Sequence, residues 1–208
     1  MATRPAWCVK NVGIVRESFD FHYNSGFSDV QKKKNVKALH ESIGKSALEV
    51  STKSDNPLGF MLSAFNLKLD GIPFECVFQA SKKYSNGGPY LDLLNVSPKE
   101  AKRDERHQTG NLTAFVYKGE EFLLIPRTFF YDYMYIKAVK QSIPSQEIKN
   151  LLNYEYFTDI EFNPKKSINC QAKSVAIIKA MLQIFGNLPE LSKKDFYLFY
   201  DMISAEKY

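Results

Sequence analysis

INCQAKSVAIIKAMLQIF, residues 168–185, is the stretch on which the fold turns. Ala172, Val175, Ala176, Ile177, Ile178, Met181, Leu182, Ile184 and Phe185 spread around most of a helical wheel instead of gathering on one side. A helix that is apolar nearly all round has to be enclosed, so this segment is predicted as the buried central helix. Ser167 is its expected N-cap.

The chain leading into that helix, FTDIEFNPKKSINCQAK (157–173), carries Asp159, Glu161, Asn163, Asn169 and Gln171. A helix start presents free N–H groups and positive partial charge, so a diphosphate would rest there with Lys165 or Lys166 nearby. An Asx-type turn followed by an ordinary cap accounts for the same residues, and both readings stand. Amides are costly to bury without partners, and a run of them leading into a core helix hints at a ligand.

Further out, VGIVRESFDFHYNSGFS (12–28) reads as a strand and a glycine turn. SDVQKKKNVKALHESIG (28–44) reads as a helix with Ser28 as N-cap and Gly44 as stop. ALEVSTKS (47–54) is a short strand, and NPLGFMLSAFNLKLDGIPF (56–74) is punctuated by Asn-Pro and Asp-Gly into strand pieces and turns. PFECVFQASKKYSNGGPYLDLL (73–94) supplies a helix closed by SNGGP. SPKEAKRDERH (97–107) has Ser97, Pro98 and Glu100 placed as a capping box with proline at the first helical position. LTAFVYKGEEFLLIP (112–126) is a hairpin turning at Lys118, Gly119 and Glu120, and residues 128–141 and 145–154 are further helices. The sum is an α+β fold, mostly helical with small sheet and hairpin elements.

A chain of 208 residues with 44% hydrophobic content has enough apolar surface for a real core, and it reads as one domain. Its parts are an N-terminal extension (1–45), a core (about 46–185) and a C-terminal helical tail (186–208). The formal charge of +5 favours a polyanionic partner without requiring one. Cys8, Cys76 and Cys170 are too far apart for a C-x-x-C pair, which argues against a disulfide framework and a zinc site. His22, His40 and His107 are isolated in sequence. With no signal-like segment and no apolar run of about 18 residues, the chain is expected to be soluble and cytoplasmic.

Nucleotide-binding glycine patterns and the serine nucleophile elbow are absent. Carboxylates, a few lysines and amides remain, a set suited to glycosidic-bond cleavage. Glu75, Gln79 and Lys82 stand at i, i+4 and i+7 and share a helical face, opposite the apolar arc Phe74, Val77, Ala80 and Tyr84. By periodicity alone that stripe is an ordinary solvated face. QKKKNVK (31–37), with Lys32, Lys33 and Lys34, reads either as a solvated helix face or as a contact for a nucleic-acid backbone.

LSAFN (62–66), ECVFQASK (75–82), SPKEAKR (97–103), TDIEFN (158–163) and SINCQA (167–172) together resemble, in order and spacing, the motifs of the NADAR family. The likeness runs from about residue 46 to 180, and E-x-x-F-Q-A-x-K is its most specific part. Phe162 stands where that family usually has Trp, and Cys170 to Ala172 replace a Leu-Gly. GFSDVQKKKNVKALH, LEVSTKS, GGPYLDLL and FYDYMYIKA bring the chain nearer the members encoded beside DarT-type toxins.

The resemblance implies a NADAR fold and an N-glycosidase that removes ADP-ribose from guanine bases of DNA, acting as antitoxin to a DarT-type ADP-ribosyltransferase of the same operon. It implies no cofactor and no metal. Glu75 and Asp159 are then the carboxylates that stabilise charge at the anomeric carbon or orient water. Lys82 is the amine for a Schiff-base route, ahead of Lys53. Ser63, Asn66 and Gln79 would hold ribose hydroxyls, Asn163 and Asn169 the diphosphate, and Phe65, Tyr84 or Tyr90 would stack on a base. Lys32, Lys33 and Lys34 become candidates for DNA contact. Two other functions fit the same residues: an N-glycosidase of small ribosylated metabolites, and a non-catalytic module that binds ADP-ribose or the toxin.

Overall fold

Local signals settle most of the elements, which in the computed structural model are described for residues 1–204. In chain order they are β1 (Ala2–Lys10), β2 (Gly13–Phe21), α1 (Asp29–Ile43), β3 (Ala47–Glu49), α2 (Pro57–Met61), β4 (Lys68–Leu69), β5 (Ile72–Pro73) and α3 (Phe74–Ala80). Then follow β6 (Lys82–Tyr84), α4 (Pro98–Arg103), β7 (Leu112–Tyr117), β8 (Glu120–Phe122), α5 (Phe129–Ser142), α6 (Ser145–Lys149), β9 (Tyr156–Thr158), α7 (Gln171–Phe185) and α8 (Lys193–Ile203). Short 3-10 turns cover 91–95, 105–108 and 150–153. The fold is α+β. Of the helical tail expected over 186–208, α8 is present and residues 205–208 lie outside the described residues.

Packing divides the chain into two units, Met1–Ser63 with Ile143 onward, and Ala64–Ser142. The first holds a four-stranded sheet in the order β2-β1-β9-β3. β1 pairs antiparallel with both β2 and β9, whereas β3 runs parallel to β9. α1 packs on β2 and β3, and its Val36, Leu39 and Ile43 join Ala6, Cys8, Phe21, Tyr156 and Ile160 in one apolar cluster. α1 starts where Ser28 accepts the Gln31 N–H and stops at Gly44, whose φ of 66° lies in the left-handed region, as the sequence predicts.

α7 is the buried helix of this unit, packed on β1, β2 and β9, with Ala172, Val175, Ala176, Ile177 and Ile178 wholly enclosed. It begins at Gln171 behind an extended Cys170 that makes no side-chain cap. Ser167 is therefore not its N-cap; the Ser167 hydroxyl donates to the Asn169 carbonyl instead. One further expectation is corrected here. Asn56 and Pro57 open helix α2 rather than a turn between strands, because Asn56 Oδ1 accepts the Leu58 N–H and Pro57 takes the first helical position.

The second unit holds the β4–β5 hairpin and a sheet in the order β6-β7-β8. Lys118 and Gly119, with φ of 49° and 80°, make the two-residue turn joining β7 to β8. α5 is buried along eight consecutive residues, Phe129 to Ile136. Its Phe130 stacks on Phe115 at 4.5 Å between ring centres, and Tyr131 and Tyr135 meet Phe74 edge-on at 5.3 and 5.7 Å. Ser97 and Glu100 form the expected capping box at the start of α4. Among the described residues no helix is long and apolar enough to cross a membrane.

Candidate functional site

The second unit gathers a buried polar group on and beside α3. This helix has only seven residues and is packed against β4, β5, α4, α5 and the 3-10 turn at 91–95, so all seven are buried. The solvated face expected from periodicity is thus corrected: Glu75 is 7% exposed and Gln79 5%. Gln79 Nε2 donates to Glu75 Oε1 at 2.8 Å. That bond fixes the amide orientation, because a carboxylate accepts and only the NH2 end can donate to it. Gln79 Oε1 is left buried without a hydrogen-bond partner.

Lys82 reaches this group by another route than the predicted one. α3 ends at Ala80, the Ser81 hydroxyl donates to the Val77 carbonyl, and the chain turns into β6, where Lys82 pairs with Phe115. Its ammonium lies 5.4 Å from the centre of the Phe78 ring. Burial pushes the Lys82 pKa down to about 8; Glu75 opposes that fall and Lys102 adds to it. Lys102, on α4, stands 5.4 Å over the half-exposed ring of Phe65.

Tyr84 follows on β6, stacked on Tyr90 at 6.3 Å, and its hydroxyl is 3.2 Å from His107 Nδ1. His107 Nε2 donates to the Ala101 carbonyl at 2.9 Å, so Nδ1 is the acceptor for Tyr84. His107 is therefore not isolated, and burial first, then Lys82, lowers its pKa. Arg106 covers Tyr90 at 4.4 Å and is tied to both Asp92 and Asp104. Asn66 is exposed.

The first unit holds a second buried group. Asp159 is 7% exposed and Glu49, at the end of β3, 2%. Glu49 accepts the Ser51 hydroxyl at 2.6 Å, the Thr158 hydroxyl at 2.6 Å and the Ile160 N–H at 2.9 Å. Asp159 Oδ1 accepts the N–H groups of Glu161 and Phe162 at 3.1 and 3.2 Å. Burial, then the Glu49 charge, pushes the Asp159 pKa up to about 8, and burial likewise raises Glu49. His40 Nε2 lies 2.9 Å from the Thr158 hydroxyl, and burial lowers its pKa to about 4.

The remaining expected ligands of this unit are engaged locally. Asn163 Oδ1 accepts the Lys165 N–H at 3.0 Å, the Asx turn of the simpler reading. Asn169 is half-buried and Ser63 wholly so. Lys32 pairs with Glu161 and Lys33 with Asp55, each at 2.6 Å, and Lys34 is exposed. Lys53 pairs with Asp29 at 2.8 Å.

Sequence reasoning singles out Glu75, Gln79, Lys82 and Asp159 as candidates and passes over the buried Glu49. Its one signal is a charged residue between Leu48 and Val50, where a short buried strand calls for an apolar one.

No curated protein matches the chain. A family model does, over residues 2–207, nearly the whole length. Its description is DarT1-associated NADAR antitoxin, and the chain belongs to that family.

Proposed function

We propose that the protein is an N-glycosidase that frees guanine bases of DNA from ADP-ribose, undoing the product of a DarT-type toxin. The observation that carries this reading is Lys82: half-buried, beside Glu75, with a pKa lowered to about 8. An ammonium has no lone pair to give, whereas a pKa near 8 leaves roughly a tenth of the amine neutral at pH 7.

The neutral amine attacks the anomeric carbon of the ribose. The bond from that carbon to the guanine nitrogen breaks, and its electron pair stays on the base, which takes a proton. As the sugar opens to an imine, the ring oxygen takes the proton that the lysine nitrogen sheds. Water then adds to the imine, releasing ADP-ribose and restoring the amine. Glu75 offsets the positive charge that develops on the sugar. Gln79 Oε1, buried and unpaired, accepts a ribose hydroxyl.

Lys82→Ala, Glu75→Gln and Asp159→Asn, each incubated with ADP-ribosylated guanine in single-stranded DNA, are expected to lower release about 100-fold or more. The wild-type rate rises with pH as Lys82 loses its proton near 8. Borohydride traps a Lys82 adduct if the imine forms. Full release by all three variants overturns the assignment.

A further inference from the structure

Arg106 closes a stack of side chains that begins two residues after Lys82. Tyr84 of β6 stacks on Tyr90 with ring centres 6.3 Å apart. Tyr90 is tied back to the end of α3, its N–H donating to the Ala80 carbonyl at 2.9 Å. Its hydroxyl sits against Gly87, where a Cβ would come within 2.9 Å of it. Arg106 then lies 4.4 Å over the centre of the Tyr90 ring. All of these residues belong to the second unit, as does Lys82.

Two carboxylates hold the guanidinium in place. Nε and Nη2 donate to Asp104 at 2.7 and 2.9 Å, and Nη1 and Nη2 donate to Asp92 at 3.2 and 2.7 Å. Four of its five donors are thereby used, and its charge is offset by both carboxylates, so it is poorly suited to grip a phosphate. The side chain is nevertheless 35% exposed. With its edges on Asp92 and Asp104 and one face on Tyr90, what it still offers is its outer face. A rigid, weakly hydrated plane with its hydrogen bonds satisfied attracts another flat ring rather than an anion. Cations suited to the phosphates of a strand stand just before it, on the exposed Lys99, Lys102 and Arg103 of α4.

We propose that the outer face of Arg106 is a stacking platform for a nucleobase, the one next to the modified guanine in the DNA strand. That the substrate is a DNA strand rests on the glycosidase reading above. Bases of a duplex are already stacked on one another, so the platform favours single-stranded DNA. The substrate carries a second nucleobase, the adenine of ADP-ribose, and the test separates the two.

The full chain is given single strands with one ADP-ribosylated guanine, either intact or with an abasic site on the 5′ or the 3′ side of it. For the wild type, one of the two abasic strands is expected to raise KM about tenfold over the intact strand. This arm alters only the DNA, so it holds even if a variant does not fold. Arg106→Lys keeps the charge but loses the plane, and is expected to bring the ratio of the two KM values to about one. A merely structural role for Arg106 raises KM for both strands alike and keeps the ratio, which overturns the platform. So does a wild type indifferent to both abasic sites. If, with that indifference, inhibition by free ADP-ribose weakens about tenfold in Arg106→Lys, adenine occupies the face and the assignment to the strand falls. If no strand releases ADP-ribose, the same ratios are read as Kd from the fluorescence anisotropy of end-labelled strands; the expected ratios then overturn the glycosidase reading and leave the platform standing.

Discussion

Gly59 is the residue on which the end of β3 rests. It lies in α2, and a Cβ there would overlap the Glu49 carbonyl oxygen and the Ser54 hydroxyl, the first of which is backbone and cannot swing aside. Gly59→Ala is therefore expected to destabilise the fold by about 2–3 kcal/mol, even though alanine is the better helix former. Denaturant unfolding checks it, and an unchanged midpoint would sink the close-approach argument. The same residue shows where sequence reading stops. Glu75, Gln79 and Lys82 were legible because they lie within eight positions of one another. Glu49 was not, since its partner Thr158 is 109 residues away and nothing periodic links them. Asp159 was found through its motif, while its acidity comes from burial and a neighbouring charge, neither of which a sequence displays.

Elements were legible wherever a local hydrogen bond defines them. Ser28 with Gly44, and Ser97 with Glu100, mark helix ends because cap and backbone lie within a few residues of each other. The end of α3 was missed because Ser81, Lys82 and Lys83 are compatible with a further turn, and only pairing with β7 pulls them into a strand. β1 was missed for the opposite reason. Pro5 argues against a strand, and is tolerated because β1 pairs with β9 only from Ala6 to Cys8. The β1–β2 turn carries a strained pair, Asn11 and Val12 at φ of 48° and 62°, the second a β-branched residue in the left-handed region. Val12 is 43% exposed and packs little. Val12→Gly gives the favoured Asn-Gly turn and is expected to stabilise the protein by about 1 kcal/mol, read as a higher Tm. A lower Tm would mean that the Val12 side chain matters more than its backbone.

At the scale of the whole chain, the two units differ in how they are cut from the sequence. Ala64–Ser142 is continuous, whereas the other is closed from segments on either side of it, with β9 entering between β1 and β3. Tyr156 of β9 follows Glu49 of β3 by 107 residues (156 − 49). Loop closure over that length delays the pairing. Pulse-labelled hydrogen exchange during refolding is expected to protect amides of β6, β7 and α5 before those of β9, and simultaneous protection would refute the order. Helices read alongside short strands and a hairpin point to the α+β class, yet say nothing of this interleaving, which depends on strand order. The late middle strand also bears on biosynthesis. A chain leaving the ribosome displays the β1–β2 hairpin and β3 with an empty slot between them until β9 emerges. During that interval its open edges invite chaperones and proteases, so the cell's stock of finished protein depends on how quickly translation delivers the last quarter of the message.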